Sequence, residues 1–238
     1  MSQNINLAEL MKPIKKPSLN MLFLKYKNEE PNNESHLGGY PYFTNDDKWP
    51  TCSECKKEMI FFMQLREVTS DGNVVLRTYY NCPCELENFI PIINTIEYHN
   101  PSMEHCVKTQ VGPKTLPFVE IKYEPSWSIP NWALLPLYNK EMHDQILLMH
   151  NDNNEQAEDY YESLRWNENY LATEPYSLIS GYPEFISDPK VFKCQCCKKP
   201  TEFVFQLDTD EEFQISWNSG VLYCFRCPNT KTLYFTIN

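Results

Sequence analysis

The sequence contains one segment twice, and each copy carries a Cys-x-x-Cys motif. The segment from Ser35, SHLGGYPYFTNDDKWPTCSECKKEMIFFMQL, aligns without a gap to the segment from Ser177, SLISGYPEFISDPKVFKCQCCKKPTEFVFQL, and nearly half of the aligned positions are identical. A match at a fixed offset indicates repeated structure. We therefore expect one folding unit to occur twice in this chain.

The cysteines that follow each segment extend the pattern. The offset that relates Ser35 to Ser177 also relates Cys82 to Cys224, so that the two cysteine pairs of each unit are separated by stretches of equal length. Two pairs brought together across a hairpin can supply four thiolates to a tetrahedral zinc ion. We predict two structural zinc ions, with Cys52, Cys55, Cys82 and Cys84 as ligands in the first unit and Cys194, Cys197, Cys224 and Cys227 in the second.

Two other interpretations of these cysteines stay open, namely buried thiols in a β-core and disulfides. The first residues, MSQNINLAELMKPIKKPSLN, lack the apolar stretch and cleavage site of a secretory signal. We therefore expect a cytoplasmic, reducing location, where metal ligands or free thiols are favoured over disulfides. Cys106 and Cys196 have no partner in the scheme. We predict that both are bystanders, although Cys196 could compete with its neighbours for the metal.

Short apolar runs beside the cysteine pairs indicate β-strands. The runs are Ile60–Met63 and Val74–Leu76 in the first unit, and Phe203–Phe205 and Val221–Tyr223 in the second. Gln64 and Gln206 follow the first run of each unit at matched positions. We expect their amides to form hydrogen bonds with the backbone inside the unit.

The stretch between the units has a different pattern. Apolar residues recur at helical spacing over Lys140–His150 and Asn154–Trp166, and the loop Asn151–Asn154 provides an N-cap. The N-terminal residues predict a short helix at Leu7–Met11 and a strand at Met21–Tyr26. This middle stretch therefore has helices where the repeated units have strands.

The expected fold class is α+β and β-rich, with an internal duplication of a zinc-knuckle-bearing antiparallel β unit and a partly helical insertion between the copies. We divide the chain into an N-terminal segment (1–34), a first repeat unit (35–106), an unrepeated middle segment (107–176) and a second repeat unit (177–238). Together they are expected to form one compact domain.

Charge and motifs exclude several classes of function. The net charge of −11 argues against nucleic-acid binding, which requires a basic surface, and favours a basic protein partner. No apolar run approaches the roughly 18 residues that a membrane helix requires. We find no nucleophile elbow, phosphate-binding loop or His-Glu-x-x-His motif. The sequence therefore predicts no catalytic residues.

Several motifs resemble those of the YwqG-like family of bacterial proteins of unknown function. In the first half they are Ser-x-Leu-Gly-Gly-Tyr-Pro at 35–41, Trp-Pro at 49–50, the Cys-x-x-Cys at 52–55 and Phe-x-x-Gln-Leu at 61–65. In the second half they are Gly-Tyr-Pro at 181–183, Gln-Leu-Asp-Thr-Asp at 206–210 and the segment 217–223. That last segment departs from the family's Trp-Gly-Asp-x-Gly at Asn218 and Ser219. The order of motifs is more distantly similar to the eukaryotic programmed-cell-death-2 proteins.

The resemblance covers both units, and it implies a duplicated β-rich fold that binds other proteins rather than catalyses a reaction. The expected function is that of a zinc-stabilised, non-catalytic binding protein: an adaptor, a chaperone-like protein or a toxin-immunity protein. Two alternatives stay open. One is an enzyme that uses a cleft between the two repeats, and the other is a nucleic-acid-binding zinc ribbon.

Overall fold

A computed structural model describes residues 11–25, 32–82, 84, 91–107, 112–113, 116–167, 177–185, 192–209 and 220–237. In these ranges the strands are β1 (Lys16–Lys25), β2 (His36–Leu37), β3 (Ile60–Val68), β4 (Val74–Asn81), β5 (Ile93–His99), β6 (Val119–Ser128), β7 (Leu178–Ile179), β8 (Glu202–Asp208), β9 (Val221–Arg226) and β10 (Leu233–Ile237). The helices are a 3-10 turn (Lys12–Ile14), α1 (Leu135–Tyr138), α2 (Lys140–Met149) and α3 (Asn154–Asn167).

All ten strands belong to one antiparallel sheet, in the order β10-β9-β8-β7-β1-β6-β2-β3-β4-β5. The long strands β1 and β6 pair at its centre, from Lys16 opposite Ser128 to Lys25 opposite Val119. Four strands extend from each side of this pair. We call β2–β5 the first arm and β7–β10 the second arm. Each of the four sequence segments defined above contributes at least one strand to this sheet.

The sheet curves until it is nearly closed, and the two arms meet across its inner face. The ring of Tyr79 on β4 lies 5.4 Å from that of Phe205 on β8 and 6.3 Å from that of Phe235 on β10. Aromatic rings at such separations pack edge to face. The inner face therefore holds the main apolar core, whose buried members come from the central strands and from both arms: Met21, Leu37, Phe62, Met63, Leu65, Tyr79, Val119, Ile121, Phe205, Leu207, Leu222 and Cys224.

Both helices predicted in the middle segment are confirmed, and α2 ends one residue earlier than predicted, at Met149. The loop between them provides the N-cap, since Asn153 Oδ1 accepts a hydrogen bond of 3.2 Å from the Gln156 N–H. A second core forms where their apolar faces meet the chain that follows β6, and it includes Trp132 and Tyr161. No helix within the described ranges is both long and apolar enough to cross a bilayer.

The N-terminal predictions have mixed outcomes. The predicted strand exists as β1, but it begins at Lys16, five residues earlier than predicted, and is the central strand of the sheet. The predicted helix Leu7–Met11 lies outside the described residues except for Met11, and Tyr26 also lies outside them. The longer strand follows from its pairing with β6 over its whole length.

Candidate metal centres

Four thiols of the first unit converge at the open end of the β3–β4 hairpin. The Sγ atoms of Cys52, Cys55, Cys82 and Cys84 lie within 4.8 Å of one another. Those of Cys52 and Cys84 are 4.0 Å apart, and those of Cys55 and Cys82 are 3.5 Å apart. A tetrahedral zinc ion with bonds of about 2.3 Å holds its sulfurs about 3.8 Å apart. The structure therefore brings together the four cysteines predicted for this unit. Two sulfur pairs lie near the separation that a zinc ion requires, whereas Cys82 and Cys84, 2.6 Å apart, would have to move apart to bind one.

None of these cysteines forms a disulfide. The closest sulfurs are those of Cys82 and Cys84 at 2.6 Å, well beyond the S–S bond length of about 2.05 Å. All ten cysteines of the chain are free thiols. The structure therefore contains no disulfide in either group, and each group presents four sulfurs to a common centre.

A tight turn aims both thiols of each Cys-x-x-Cys. The Cys52 N–H donates to Lys57 O at 2.9 Å, and the Lys56 N–H donates to Cys52 O at 3.1 Å. Lys56 adopts φ = 60°, and Lys198 in the second unit adopts φ = 58°. The Lys198 N–H donates to Cys194 O at 2.9 Å in the same manner. Left-handed φ is uncommon for a residue with a side chain, so the same turn has formed in both units.

The second group differs from the predicted one. Its thiols lie within 4.8 Å of one another and belong to Cys194, Cys196, Cys197 and Cys227. The Sγ atoms of Cys194 and Cys196 are 2.9 Å apart, and those of Cys197 and Cys227 are 3.6 Å apart. Cys196, predicted to be a bystander, is the fourth member of the group, and Cys224 is absent from it.

Cys224 was a predicted ligand, and the structure places it elsewhere. It lies in the middle of β9, where it pairs with Phe205 on one side and Phe235 on the other. Its side chain is fully buried in the main apolar core near Tyr79. Burial raises the pKa of this thiol well above its ordinary value, because the apolar surroundings disfavour the thiolate. Cys224 is therefore a core residue, as the buried-thiol alternative proposed for these cysteines.

The register of the hairpins explains this difference. In the first arm Phe61 pairs with Tyr80, and in the second arm Phe203 pairs with Phe225. The second pair is separated by 22 positions and the first by 19, so the second hairpin holds three more residues between equivalent paired positions. The fixed offset of the alignment therefore does not mark equivalent positions beyond the hairpin turn. By strand pairing, Cys82 corresponds to Cys227 and not to Cys224.

A third turn of the same kind begins at Cys227. The Cys227 N–H donates to Thr232 O at 2.9 Å, the Lys231 N–H donates to Cys227 O at 3.0 Å, and Lys231 has φ = 60°. Thr230 occupies the place that the second cysteine holds in the other two turns. Cys196 supplies the fourth thiol instead, and its sulfur lies 3.9 Å from Thr230 Oγ1. The one sequence signal for this turn is Cys-Pro-Asn-Thr-Lys, which matches Cys-x-x-Cys-Lys except at the threonine.

The first cysteine of each Cys-x-x-Cys is the one most easily deprotonated. A hydrogen bond from the Cys55 backbone lowers the pKa of Cys52 to about 7. Hydrogen bonds from the Cys196 thiol and then from the Tyr234 hydroxyl, 3.2 Å from the Cys194 sulfur, lower the pKa of Cys194 to about 5. Donors directed at a sulfur stabilise its thiolate, which is the form that binds a metal. Hydrogen bonds from Thr230 also lower the pKa of Cys227. Hydrogen bonding therefore favours the thiolate at Cys52 in the first group and at Cys194 and Cys227 in the second.

The matched glutamines act as predicted. Gln64 is fully buried; its Oε1 accepts the Tyr42 N–H at 2.7 Å, and its Nε2 donates to Glu34 O at 2.7 Å. Gln206 is buried equally, and its Oε1 accepts the Glu184 N–H at 2.8 Å. Each amide therefore satisfies backbone groups beside its hairpin.

The two cysteines predicted to be bystanders have different outcomes. Cys196 belongs to the second group, as described above. Among the described residues, Cys106 lies in a separate apolar cluster and belongs to neither cysteine group.

A cavity of about 760 Å³ opens on the inner face, with residues from the central strands and both arms in its lining. Its polar side holds Arg77, which donates to Glu67 at 2.7 Å and to Glu97 at 2.6 Å. Tyr123 also lies there and donates to Ser35 Oγ at 2.6 Å. Six of the remaining lining side chains are aliphatic, and the rest include the charged Glu34, Arg66, Glu120 and Lys122. The cavity is therefore amphipathic, and ionisable side chains make up much of its wall.

No protein-family model matches the sequence, and no curated protein matches it either. The resemblance to the YwqG-like family therefore stays a prediction. The two cysteine groups and the sheet that carries them are the features of this chain that bear on its function.

Proposed function

We propose that each cysteine group binds one zinc ion and that both ions are structural. The observation that carries the proposal is the convergence of four thiols within 4.8 Å in each group. Four sulfur ligands in a tetrahedral arrangement favour zinc or an iron–sulfur centre over harder metals. A mononuclear site with four protein ligands leaves no position for substrate, as is typical of structural zinc.

The position of the groups supports a structural role. In the first arm Ile60 pairs with Asn81 at the end of the hairpin, and the cysteine pairs lie just outside these residues. A bound ion would join the two strands at the end that the hairpin turn leaves open. In the second arm Glu202 pairs with Arg226 directly before Cys227. Each ion would therefore stabilise the pairing of one hairpin.

Metal analysis of the purified full chain tests this proposal. We expect two zinc ions per chain and no visible absorption from an iron–sulfur centre. Cys106→Ser, which removes a thiol outside both groups, is the matched control and should keep both ions. Substantially less than one zinc per chain, with thiols that titrate freely in the folded protein, would contradict the proposal.

We also infer that the two arms descend from one duplicated unit. Matched hydrogen bonds support this inference beyond the sequence identity. Ser35 Oγ accepts the Arg66 N–H at 2.8 Å in the first arm, and Ser177 Oγ accepts the Asp208 N–H at 3.0 Å in the second. The strand pairing also shifts register at equivalent places, between Phe61 and Met63 and between Phe203 and Phe205.

The cellular role that we propose is non-catalytic binding of a basic protein, as an adaptor, chaperone-like protein or toxin-immunity protein. The net charge of −11 supports it, as does the resemblance noted in the sequence. Immobilised zinc-loaded protein should retain one partner in stoichiometric amount from a native lysate at low salt, and raised salt should release it. Zinc-stripped protein is the control. The absence of any stoichiometric partner at low salt would count against this role.

A second candidate, favoured by the inner-face cavity, is the binding of a small amphipathic molecule. The volume of about 760 Å³ lies in the range of ligand sites. Its wall combines aliphatic side chains with several charged ones, so a ligand would need both apolar and charged or polar groups. A ligand found by thermal-shift screening should bind about tenfold more weakly to Tyr123→Phe. Tyr98→Phe, whose hydroxyl donates to Asp47 away from this lining, is the control. Binding that is equal in both variants would contradict this candidate.

A further inference from the structure

The two cysteine groups differ in how they obtain the fourth thiol. In the first group, the turn at Cys52 contributes two sulfurs, and Cys82 and Cys84 contribute the other two. In the second group, the turn that begins at Cys194 contributes three sulfurs, and the chain after β9 contributes only Cys227. The reason is local: Thr230 stands where the turn geometry would place a second cysteine.

The substitute ligand is the most accessible of the four. Cys194 and Cys227 are fully buried, whereas Cys196 is exposed. Cys196 also faces a hydroxyl, because its sulfur lies 3.9 Å from Thr230 Oγ1. A neutral hydroxyl is a poor zinc ligand compared with a thiolate. The corner of the site formed by Cys196 and Thr230 therefore has one strong ligand, and solvent reaches it.

The surroundings of the first group are different. Cys52 and Cys82 are buried in an apolar cluster that also contains Met59, Phe61 and Tyr80. Trp49, Cys55 and Cys84 pack against that cluster. None of the four cysteines is exposed to the degree of Cys196. Apolar walls restrict access to a metal site. The two buried sulfurs can be reached only past packed side chains, and the partly exposed Cys55 and Cys84 are less accessible than Cys196.

We propose that the second centre is an exchangeable zinc site, in which an external thiol displaces Cys196 as the fourth ligand; this rests on the proposed function of both groups as zinc sites. In the exchange, the zinc–sulfur bond to Cys196 breaks and a bond to the incoming sulfur forms. The proton of the incoming thiol passes to Cys196 Sγ, so that the charge of the site is conserved and no oxidant or reductant is needed. The ligand class is a small soft thiol, and the first centre stays closed to it.

Zinc release from the full-length, zinc-loaded protein tests this proposal. With a chromophoric chelator in excess, we expect one equivalent of zinc to leave at least tenfold faster than the other. Reduced glutathione, the probe thiol, should accelerate the fast phase and leave the slow phase unchanged. Thr230→Cys completes the third turn with a second thiol, and it should slow the fast phase at least tenfold.

Two further variants keep the proposal falsifiable. Cys196→Ser should release the zinc of the second centre still faster, while Cys196→Ser combined with Thr230→Cys should retain two zinc ions. Cys106→Ser should release zinc as the wild type does. Two equivalents that leave at one rate, or a fast phase insensitive both to glutathione and to Thr230→Cys, would overturn exchangeability while leaving two structural zinc ions. A chain that binds no zinc would overturn the proposed function and, with it, this inference.

Discussion

The two cysteine groups begin with the same turn and end with different fourth ligands. Cys52 and Cys194 have equivalent backbone hydrogen bonds. The turn that each begins ends at a lysine with left-handed φ, Lys56 or Lys198. The fourth thiol of the first group is that of Cys84, which follows β4. The fourth thiol of the second group is that of Cys196, which lies inside the turn that begins at Cys194. The same turn forms in both units because its hydrogen bonds are local, whereas the ligand set depends on which sulfurs each hairpin brings near.

The largest difference should appear between a variant of the observed ligand Cys227 and a variant of the predicted ligand Cys224. Cys227→Ser should lose the zinc of the second centre and its hairpin should melt separately, because structural zinc contributes folding free energy. Cys224→Ser should keep both ions and lower the free energy of unfolding by about 1–3 kcal/mol, since a hydroxyl would be buried in an apolar core. Zinc content and thermal unfolding of both variants measure this. Loss of zinc from Cys224→Ser alone would reverse our assignment.

The second comparison concerns how each arm attaches to the rest of the chain. Glu184 occupies the position that Tyr42 holds in the first copy, and its carboxylate forms an ion pair with the buried Arg165 of α3. Arg165→Met should lower the free energy of unfolding by about 3–5 kcal/mol, because it removes the buried guanidinium that joins Glu162 and Glu184. Chemical denaturation measures this. Lys140→Met breaks an exposed ion pair with Asp144, so it should cost about 0.5 kcal/mol or less. Equal effects of the two changes would contradict the buried role of Arg165.

The third comparison tests the equivalence of the two buried glutamines. Gln64→Leu and Gln206→Leu each leave a backbone N–H, that of Tyr42 or Glu184, without its acceptor. Each should lower the free energy of unfolding by about 1–3 kcal/mol. The control Gln145→Leu removes an exposed amide on α2, and it should change the free energy of unfolding by about 0.5 kcal/mol or less. A large loss in one arm with none in the other would break the proposed equivalence of the arms.

The last comparison concerns a pH dependence that comes from a carboxyl of the second arm, at the position where the first arm has Tyr42. Burial raises the pKa of Glu184 from its ordinary 4.5 to about 7, although Arg165 acts in the opposite direction. Between these pKa values the folded state binds more protons than the unfolded state, so stability falls as pH rises. The contribution of the carboxyl is complete below its unfolded pKa and is lost as pH rises through the folded pKa.

Glu184→Gln provides the reference for this measurement. The free energy of unfolding of the wild type relative to this variant should fall by up to about 1.4 kcal/mol per pH unit between pH 4.5 and about 7. Urea denaturation across that interval measures the difference, and metal-linked effects common to both proteins cancel. A difference that stays constant, or that grows as pH rises, would contradict a buried carboxyl with a raised pKa.

Local patterns predicted much of the fold. The helices at Lys140–Met149 and Asn154–Asn167 follow from apolar residues at helical spacing, and the strands of both hairpins follow from short apolar runs. The central place of β1 did not follow from any such pattern. Its partner β6 lies far along the chain, beyond the whole first arm, so only long-range packing brings the two strands together.

Part of the candidate site was equally accessible from sequence. Sequence patterns predicted the Cys-x-x-Cys turns and the buried glutamines. The turn hydrogen bonds join residues near in the chain, and the glutamines stand at matched positions in the two similar segments. The sequence also carried the information that Thr230 replaces a cysteine, but only in a turn that the fixed offset of the alignment concealed.

The tertiary structure alone decided which sulfurs meet. The second hairpin holds three more residues between equivalent paired positions than the first, and this moves Cys224 from the end of the hairpin to the middle of a strand. Alternate strand residues face opposite sides of a sheet, so a change of register reassigns a side chain from a metal group to an apolar core. The fourth ligand of the second centre therefore depends on strand pairing, and Cys196 fills the place that Thr230 leaves.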